Sequence, residues 1–337
     1  MPTDRPFTYD VLMPFEFEPD AQTLSVQNAR LLGKAAAVAY MDPSACEGWA
    51  RANGFDEEFD FFSSCDVTPN CDTQGFVAQN AQILLIAFRG TQPNVPVDWL
   101  GDFQALHETW GHPIGTVHKG FYEALRAVWG HPLNGKEILP ARLLAAGRRA
   151  IWITGHSLGG ALAELCAAQA SFVSHVPVQG VYTFGQPRVG DEAYARTVHD
   201  AFGVRIFRMI HDRDIVPRVP FFGMGYRHYG CEVFFDHAGT RRDGTSCVEN
   251  LAGALQLARL AVGTDAITEA AKMFATAMVQ SGFHGNPVKA VQDMVRQREE
   301  AASGAVRLLL ASGTQNIADH DMQKCYLACL GCELKLP

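Results

Sequence analysis

The 337-residue sequence contains no run of the roughly 18 apolar residues that a membrane-crossing helix needs. It also lacks a basic block. Its 28 Lys and Arg stand against 36 Asp and Glu, for a formal net charge of -8. Nucleic-acid binding is driven by phosphate neutralisation, so no nucleic-acid partner is expected. The first ten residues, Met1 to Asp10, show no basic start followed by an apolar run, so they do not read as a secretory signal. The expected location is cytoplasmic, or secreted with the leader missing from this sequence. There is no internal repeat and no low-complexity linker. The nine cysteines (46, 65, 71, 166, 231, 247, 325, 329 and 332) are odd in number and scattered, which does not suit a disulfide framework. Cys325, Cys329 and Cys332 would share one helix face. They lack the fourth ligand and close pairs of a structural metal site, so they read as buried or free thiols and no metal is expected. Cys65 and Cys71 would close a short loop only in an oxidising compartment.

What is present is a globular composition, 47% hydrophobic and 19% charged. Residues 25–40 read as an amphipathic helix, and residues 45–75 as mixed and turn-rich. Compact apolar runs of strand length follow at Ile83–Phe88, Ile151–Thr154, Val181–Phe184, Arg205–Ile210 and Glu232–Phe235. Helical stretches separate several of them, notably Phe121–Trp129, Leu158–Ser174 and Asp191–Phe202. Strands without polar alternation, divided by helices, predict an α/β fold with a mostly parallel sheet covered on both faces. After Phe235 the character changes. Leu251–Val262, Ala266–Val279 and Val288–Leu310 read as helices. Residues 248–311 are therefore expected to form a helical insertion or cap within a single domain spanning 1–337.

Gly155-His156-Ser157-Leu158-Gly159 lies between the strand Ile151–Thr154 and a clear helix start at Gly160-Ala161-Leu162. In that context G-x-S-x-G has chemical meaning. The chain turns sharply from strand to helix, with the serine on the turn and small residues on either side to avoid collision. The helix start behind Ser157 offers unpaired N–H groups and the positive end of a dipole. The N–H of Leu158 can then bind an oxyanion.

A serine hydroxyl needs a base to take its proton, and in this fold the chain order is Ser, Asp or Glu, then His. The strand Arg205–Ile210 is followed by His211-Asp212-Arg213-Asp214-Ile215-Val216-Pro217. Asp212 and Asp214 compete for the acid. Asp214 is preferred because the apolar Ile-Val-Pro turn would fix its direction. Among the later histidines, His228 precedes the last strand and reads as structural. His237, His284 and His320 are not separated by residue pattern.

These residues resemble the class 3 (fungal-type) lipase family, over roughly residues 25–235 and the last twenty or so. The motifs run in order: Asp72-Thr73-Gln74-Gly75-Phe76, Ile83 to Thr91, Asp98-Trp99, Val117-His118-Lys119-Gly120-Phe121, the elbow and Gly160. Then come Thr183-Phe184-Gly185-Gln186-Pro187-Arg188-Val189-Gly190, Asp214-Ile215-Val216-Pro217 and His228-Tyr229-Gly230-Cys231-Glu232. The resemblance implies an α/β-hydrolase with Asp214 as catalytic acid. It implies His320 as base, from the Asp319-His320 to Tyr326 context, and Thr91 as the second oxyanion donor beside Leu158. Trp99 and His156 are the candidate substrate contacts, with core packing the competing role for Trp99. The implied function is an acylglycerol lipase or esterase using an acyl-enzyme, without metal or organic cofactor. Alternatives are a short-chain or feruloyl-type esterase, a phospholipase A1, and a non-catalytic lipid- or partner-binding protein. Transient contact with a lipid interface is left open.

The sequence departs from the family pattern in two places. Asp214 and His320 lie 106 positions apart, because the 248–311 block intervenes. Gln92 to Val97 is short and holds two prolines, which does not suit a mobile lid helix. The 248–311 block is expected to wall the substrate site, with Met273, Phe274, Met278 and Phe283 as acyl-pocket candidates and ordinary helix core as the competing reading.

Overall fold

A computed structural model describes residues 16–64, 73–91, 107–110, 115–129, 137–220, 225–242 and 319–331. Trp99, the Gln92–Val97 segment, Cys65, Cys71, His284 and the 248–311 block lie outside the described residues, as does Cys332.

The strands predicted from apolar runs form the middle of an eight-stranded sheet. They are β3 (Ile83–Phe88), β6 (Ala150–His156), β7 (Gly180–Phe184), β9 (Ile206–His211) and β11 (Cys231–Phe235), all parallel. Two antiparallel strands, β1 (Phe59–Ser63) and β2 (Gln74–Gln79), extend the β3 edge. A two-residue strand, β12 (Arg241–Arg242), closes the other edge. The mostly parallel sheet is the one the apolar runs predict, and the arrangement is the α/β-hydrolase one that the resemblance implies.

The lack of alternation has a direct cause. Leu84, Ile86 and Phe88 enter one core together with Ile151, Ile153 and Val181. Ile83, Leu85 and Ala87 enter the opposite core with Trp152, Tyr182 and Phe184. Both faces of each strand are therefore apolar. On one face lie α3 (Lys119–Trp129), α4 (Ile138–Leu144), α5 (Leu158–Ala168) and α6 (Glu192–Phe202). On the other lie α1 (Val26–Val38), α2 (Pro43–Ala52) and a wide helical turn at Met322–Leu327.

Local signals fix the helix ends. Ser25 caps α1 by accepting the Asn28 N–H at 3.2 Å, while its own N–H donates to Tyr182 Oη at 2.9 Å. Asp42 caps α2, with Pro43 at the first helical position.

Three features go beyond the pattern reading. Residues 45–75, read as mixed and turn-rich, contain most of α2, all of β1 and the start of β2. The helix predicted over Leu158–Ser174 is α-helical to Ala168, after which one turn widens over Gln169–Val173. A small second sheet, absent from the pattern reading, is built from β4 (His107–Thr109), β5 (Thr116–His118), β8 (Gly190–Asp191) and β10 (Tyr226–Arg227).

Candidate active site

The site is built at the C-terminal ends of the parallel strands, where an α/β sheet presents its loops. Ser157 sits between β6 and α5 with φ 59° and ψ −128°, a backbone state that is strained for any residue with a side chain. Two bonds hold it there. Its N–H donates to Phe184 O at 2.9 Å, and its carbonyl accepts the Gly160 N–H at 2.9 Å. The flanking glycines are steric necessities. A Cβ on Gly155 would come within 2.1 Å of Gly159 O, and one on Gly159 within 2.4 Å of Phe88 O. The sharp turn leaves the Leu158 N–H at the first helical position, where it has no intrahelical acceptor.

Asp214 follows β9 in a tight turn and is fully buried. Its Oδ1 accepts the Val216 N–H at 2.9 Å, which is how the Ile-Val-Pro turn fixes its direction. Its Oδ2 accepts His320 Nδ1–H at 2.7 Å and the hydroxyl of Tyr326. Arg218 clamps the turn from below. It donates to the carbonyls of Asp214 at 3.1 Å and Asp212 at 3.0 Å. Asp212 shapes the same turn through its backbone, with φ 31° and its N–H on Phe235 O at 2.7 Å.

Among the described residues, geometry brings His320, and not His228 or His237, to Asp214. His320 reaches Asp214 across 106 residues. His237 is exposed in the turn after β11. His228 is half-buried and donates Nε2–H to Pro217 O at 2.7 Å, the structural role expected of it. With Nδ1 engaged by Asp214, the Nε2 of His320 is buried and has no hydrogen-bond partner among the described residues.

Ser157 and His320 flank the same point of the sheet. Phe184 O holds the serine backbone, and the next residue, Gly185, lies against the histidine. A Cβ on Gly185 would fall 2.7 Å from both Cε1 and Nδ1 of His320 and 2.8 Å from Asp214 Oδ2. Gly185 also has φ +59°. Its role was not read from the sequence, although Gly185-Gln186-Pro187 was noted as a motif.

His156 needs a correction. It was expected to contact substrate, but both of its ring nitrogens are already engaged. Nε2 lies 2.8 Å from His320 O, and Nδ1 lies 2.9 Å from Tyr40 Oη. The carbonyl can only accept, so Nε2 carries the proton and Nδ1 accepts the tyrosine hydroxyl. Burial, and then the nearby His320, hold the His156 pKa well below the usual histidine range, which keeps that neutral tautomer. A chain of bonds therefore runs from Tyr40 through His156 to the backbone of His320. Tyr40 had no sequence signal beyond its place at the end of the first helix.

A Cβ placed on Gly90 would lie 3.1 Å from Ser157 Cβ, so the Gly90-Thr91 step passes directly beside Ser157. Thr91 Oγ1 is buried without a hydrogen-bond partner among the described residues.

Comparison with known proteins agrees with this geometry. Residues 85–224 match the family Lipase (class 3). The Arabidopsis thaliana triacylglycerol lipase OBL1 is 30% identical over 217 residues, covering 51% of this chain and 42% of that protein. A lipase of Rhizomucor miehei is 33% identical over 177 residues, covering 48% of this chain and 45% of its own. The chain thus spans less than half the length of these two curated relatives. Among solved structures, lipase II from Rhizopus niveus superposes with a TM-score of 0.52 at 26% identity, over 62% of this chain and 80% of its own. The triacylglyceride lipase of Rhizomucor miehei gives a TM-score of 0.51 at 26% identity, over 65% and 84%. Residues 85–224 are thus similar to class 3 lipases, and the chain shares the α/β-hydrolase fold of the solved lipases.

Proposed function

We propose that the chain is a carboxylic-ester hydrolase acting on acylglycerols, with Ser157 as nucleophile, His320 as base and Asp214 as the acid that orients it. The observation that carries the reading is the buried Asp214–His320 bond of 2.7 Å, formed beside a serine in an elbow conformation. The relatives' names, triacylglycerol lipase and lipase, support the substrate class. So does a 40%-identical stretch of 93 residues shared with a secreted mono- and diacylglycerol lipase of Fusarium solani, which covers 28% of this chain.

The steps follow from the residues. His320 Nε2 takes the Ser157 proton as Oγ attacks the ester carbonyl. The N–H groups of Leu158 and Thr91 receive the developing oxyanion, and one such donor is worth about 3–4 kcal/mol of barrier. Protonated His320 gives its proton to the departing alcohol. Water, deprotonated by the same nitrogen, then attacks the acyl-enzyme and releases the carboxylate. Asp214 stabilises the imidazolium and fixes the tautomer. The Tyr40–His156 bridge holds the His320 backbone while the ring works. We assign His156 this positioning role in place of substrate contact.

Hydrolysis of p-nitrophenyl esters of graded chain length tests the reading. The expected result is turnover that rises from short to medium or long acyl chains and is abolished in Ser157→Ala. An inert protein that also fails to react with a fluorophosphonate would overturn it. A preference confined to short or aromatic acyl esters would favour the esterase alternative. Release of a fatty acid from the first position of a phospholipid would favour the phospholipase.

A further inference from the structure

Next to the Asp214–His320 pair lies a cluster that the ester chemistry does not use. His211 ends β9, Asp319 immediately precedes His320, and Cys325 sits in the Met322–Leu327 turn. All three are buried, and one ligand-type atom from each lies within 4.8 Å of the other two. We propose that His211, Asp319 and Cys325 bind one divalent transition-metal ion of zinc character, which pins the segment carrying His320 to the end of β9.

The donor set selects the ion. A thiolate and an imidazole are poor ligands for magnesium or calcium and good ones for zinc, with the carboxylate as a compatible third. Bond lengths of about 2.0–2.3 Å put tetrahedral ligands roughly 3.5 Å apart, so the cluster needs to contract by about an ångström. Charge balance favours occupancy at a buried place. One thiolate and one carboxylate neutralise a dication, leaving no net buried charge. On binding, the Cys325 S–H bond breaks, sulfur keeps the electron pair and bonds the metal, and the proton leaves to the buffer. Three protein ligands leave the fourth tetrahedral position for a water molecule.

The orientation is already set by the same segments. His211 Nδ1 lies 3.3 Å from Asp319 O, which ties the imidazole to the stretch that supplies the carboxylate. The ion would join the two halves of the acid–base pair. His211 O accepts the Asp214 N–H at 2.9 Å, Asp319 is covalently next to His320, and Cys325 is next to Tyr326, whose hydroxyl is on Asp214. Pattern reading found no metal here because the ligands come from positions 211, 319 and 325. The cysteine spacing at 325, 329 and 332 pointed along one helix face instead.

The test uses the full chain, stripped with a chelator and then titrated with zinc against a chromogenic competitor. The expected result is one equivalent bound with Kd below about 1 μM, weakened at least about tenfold in Cys325→Ser and in His211→Gln. Cys329→Ser should bind as the wild type does. Cobalt should give a thiolate-to-metal charge-transfer band in the near ultraviolet that disappears in Cys325→Ser. Zinc should also raise Tm of the wild type but not of that variant. Should Cys325→Ser fail to fold, Asp319→Asn and the wild-type cobalt spectrum decide. No cobalt–thiolate band, or zinc affinity unchanged by Cys325→Ser and His211→Gln, would overturn the proposal.

Discussion

Gly185→Ala perturbs the acid–base pair without replacing any reacting group. The new methyl carbon would start 2.7 Å from His320 Nδ1 and Cε1 and 2.8 Å from Asp214 Oδ2. Ordinary contacts at such positions begin near 3.4 Å, so roughly 0.7 Å must be found by moving the imidazole, the carboxylate or the strand end. The strand end is the stiffest of the three. Gly185 N–H donates to Met209 O at 3.1 Å and Ser157 N–H to Phe184 O at 2.9 Å, so the backbone is anchored on both sides. The imidazole therefore shifts away from Asp214. A misplacement approaching 1 Å costs about 100-fold in rate, or roughly 2.7 kcal/mol at 1.36 kcal/mol per decade. The left-handed backbone at φ +59° adds about 1–2 kcal/mol of strain, read as a loss of stability. The assay is kcat and KM on a p-nitrophenyl ester, with urea unfolding in parallel. The expected outcome is a kcat about 100-fold down, KM within a factor of about three, and a protein that still unfolds cooperatively. A variant that loses stability but keeps wild-type kcat would refute the claim that Gly185 makes room for the pair.

Other outcomes follow from the same coordinates. Tyr40→Phe removes the hydroxyl bonded to His156. The loss of about 1 kcal/mol should appear as a several-fold drop in kcat with KM nearly unchanged. Leu32→Ala, in the fully buried face of α1, should cost about 2–5 kcal/mol by urea unfolding while leaving the kcat of the folded fraction intact.

Glu164 on α5 sets a pH trend. Burial pushes its carboxyl up to about 8 from 4.5, with Tyr229, Gln186 and Arg208 beside it acting in the lowering direction. Between those two values the folded state holds a proton that the unfolded chain has released. Stability from this group is thus complete below 4.5 and falls as pH rises towards about 8, by up to about 1.4 kcal/mol per unit. Urea midpoints at pH 5, 7 and 9 should decline for the wild type and decline less for Glu164→Gln. Parallel declines would reject the assignment.

The strands of the central sheet were legible because burial on both faces writes itself as an unbroken apolar run, as in Ile83–Phe88. The elbow was legible because its chemistry is local: strand, serine, glycines and helix lie within fifteen residues. Other parts were not. β1 lies at the sheet edge in a stretch where Asp56, Glu57, Glu58 and Asp60 interrupt the aromatics, so no period stands out. The small sheet uses strands of two or three residues, which are too short to carry a period. His320 could not be separated from His237 and His284 by pattern, because partnership with Asp214 is a property of space across 106 residues. The resemblance selected it, and its Nδ1 lies 2.7 Å from Asp214 Oδ2. The role of His156 was misread for a related reason. A histidine beside the nucleophile suggests substrate contact, and only the geometry shows both nitrogens turned to Tyr40 and the His320 backbone.

The central claim is that Ser157 is activated by His320 held on Asp214. Its most direct test is the site and rate of covalent reaction with a fluorophosphonate, read by intact mass and peptide mapping. The account predicts a single modification on Ser157, slowed by about 1,000-fold or more in His320→Gln and unchanged in His237→Gln. Modification at another residue, or an undiminished rate in His320→Gln, would contradict it.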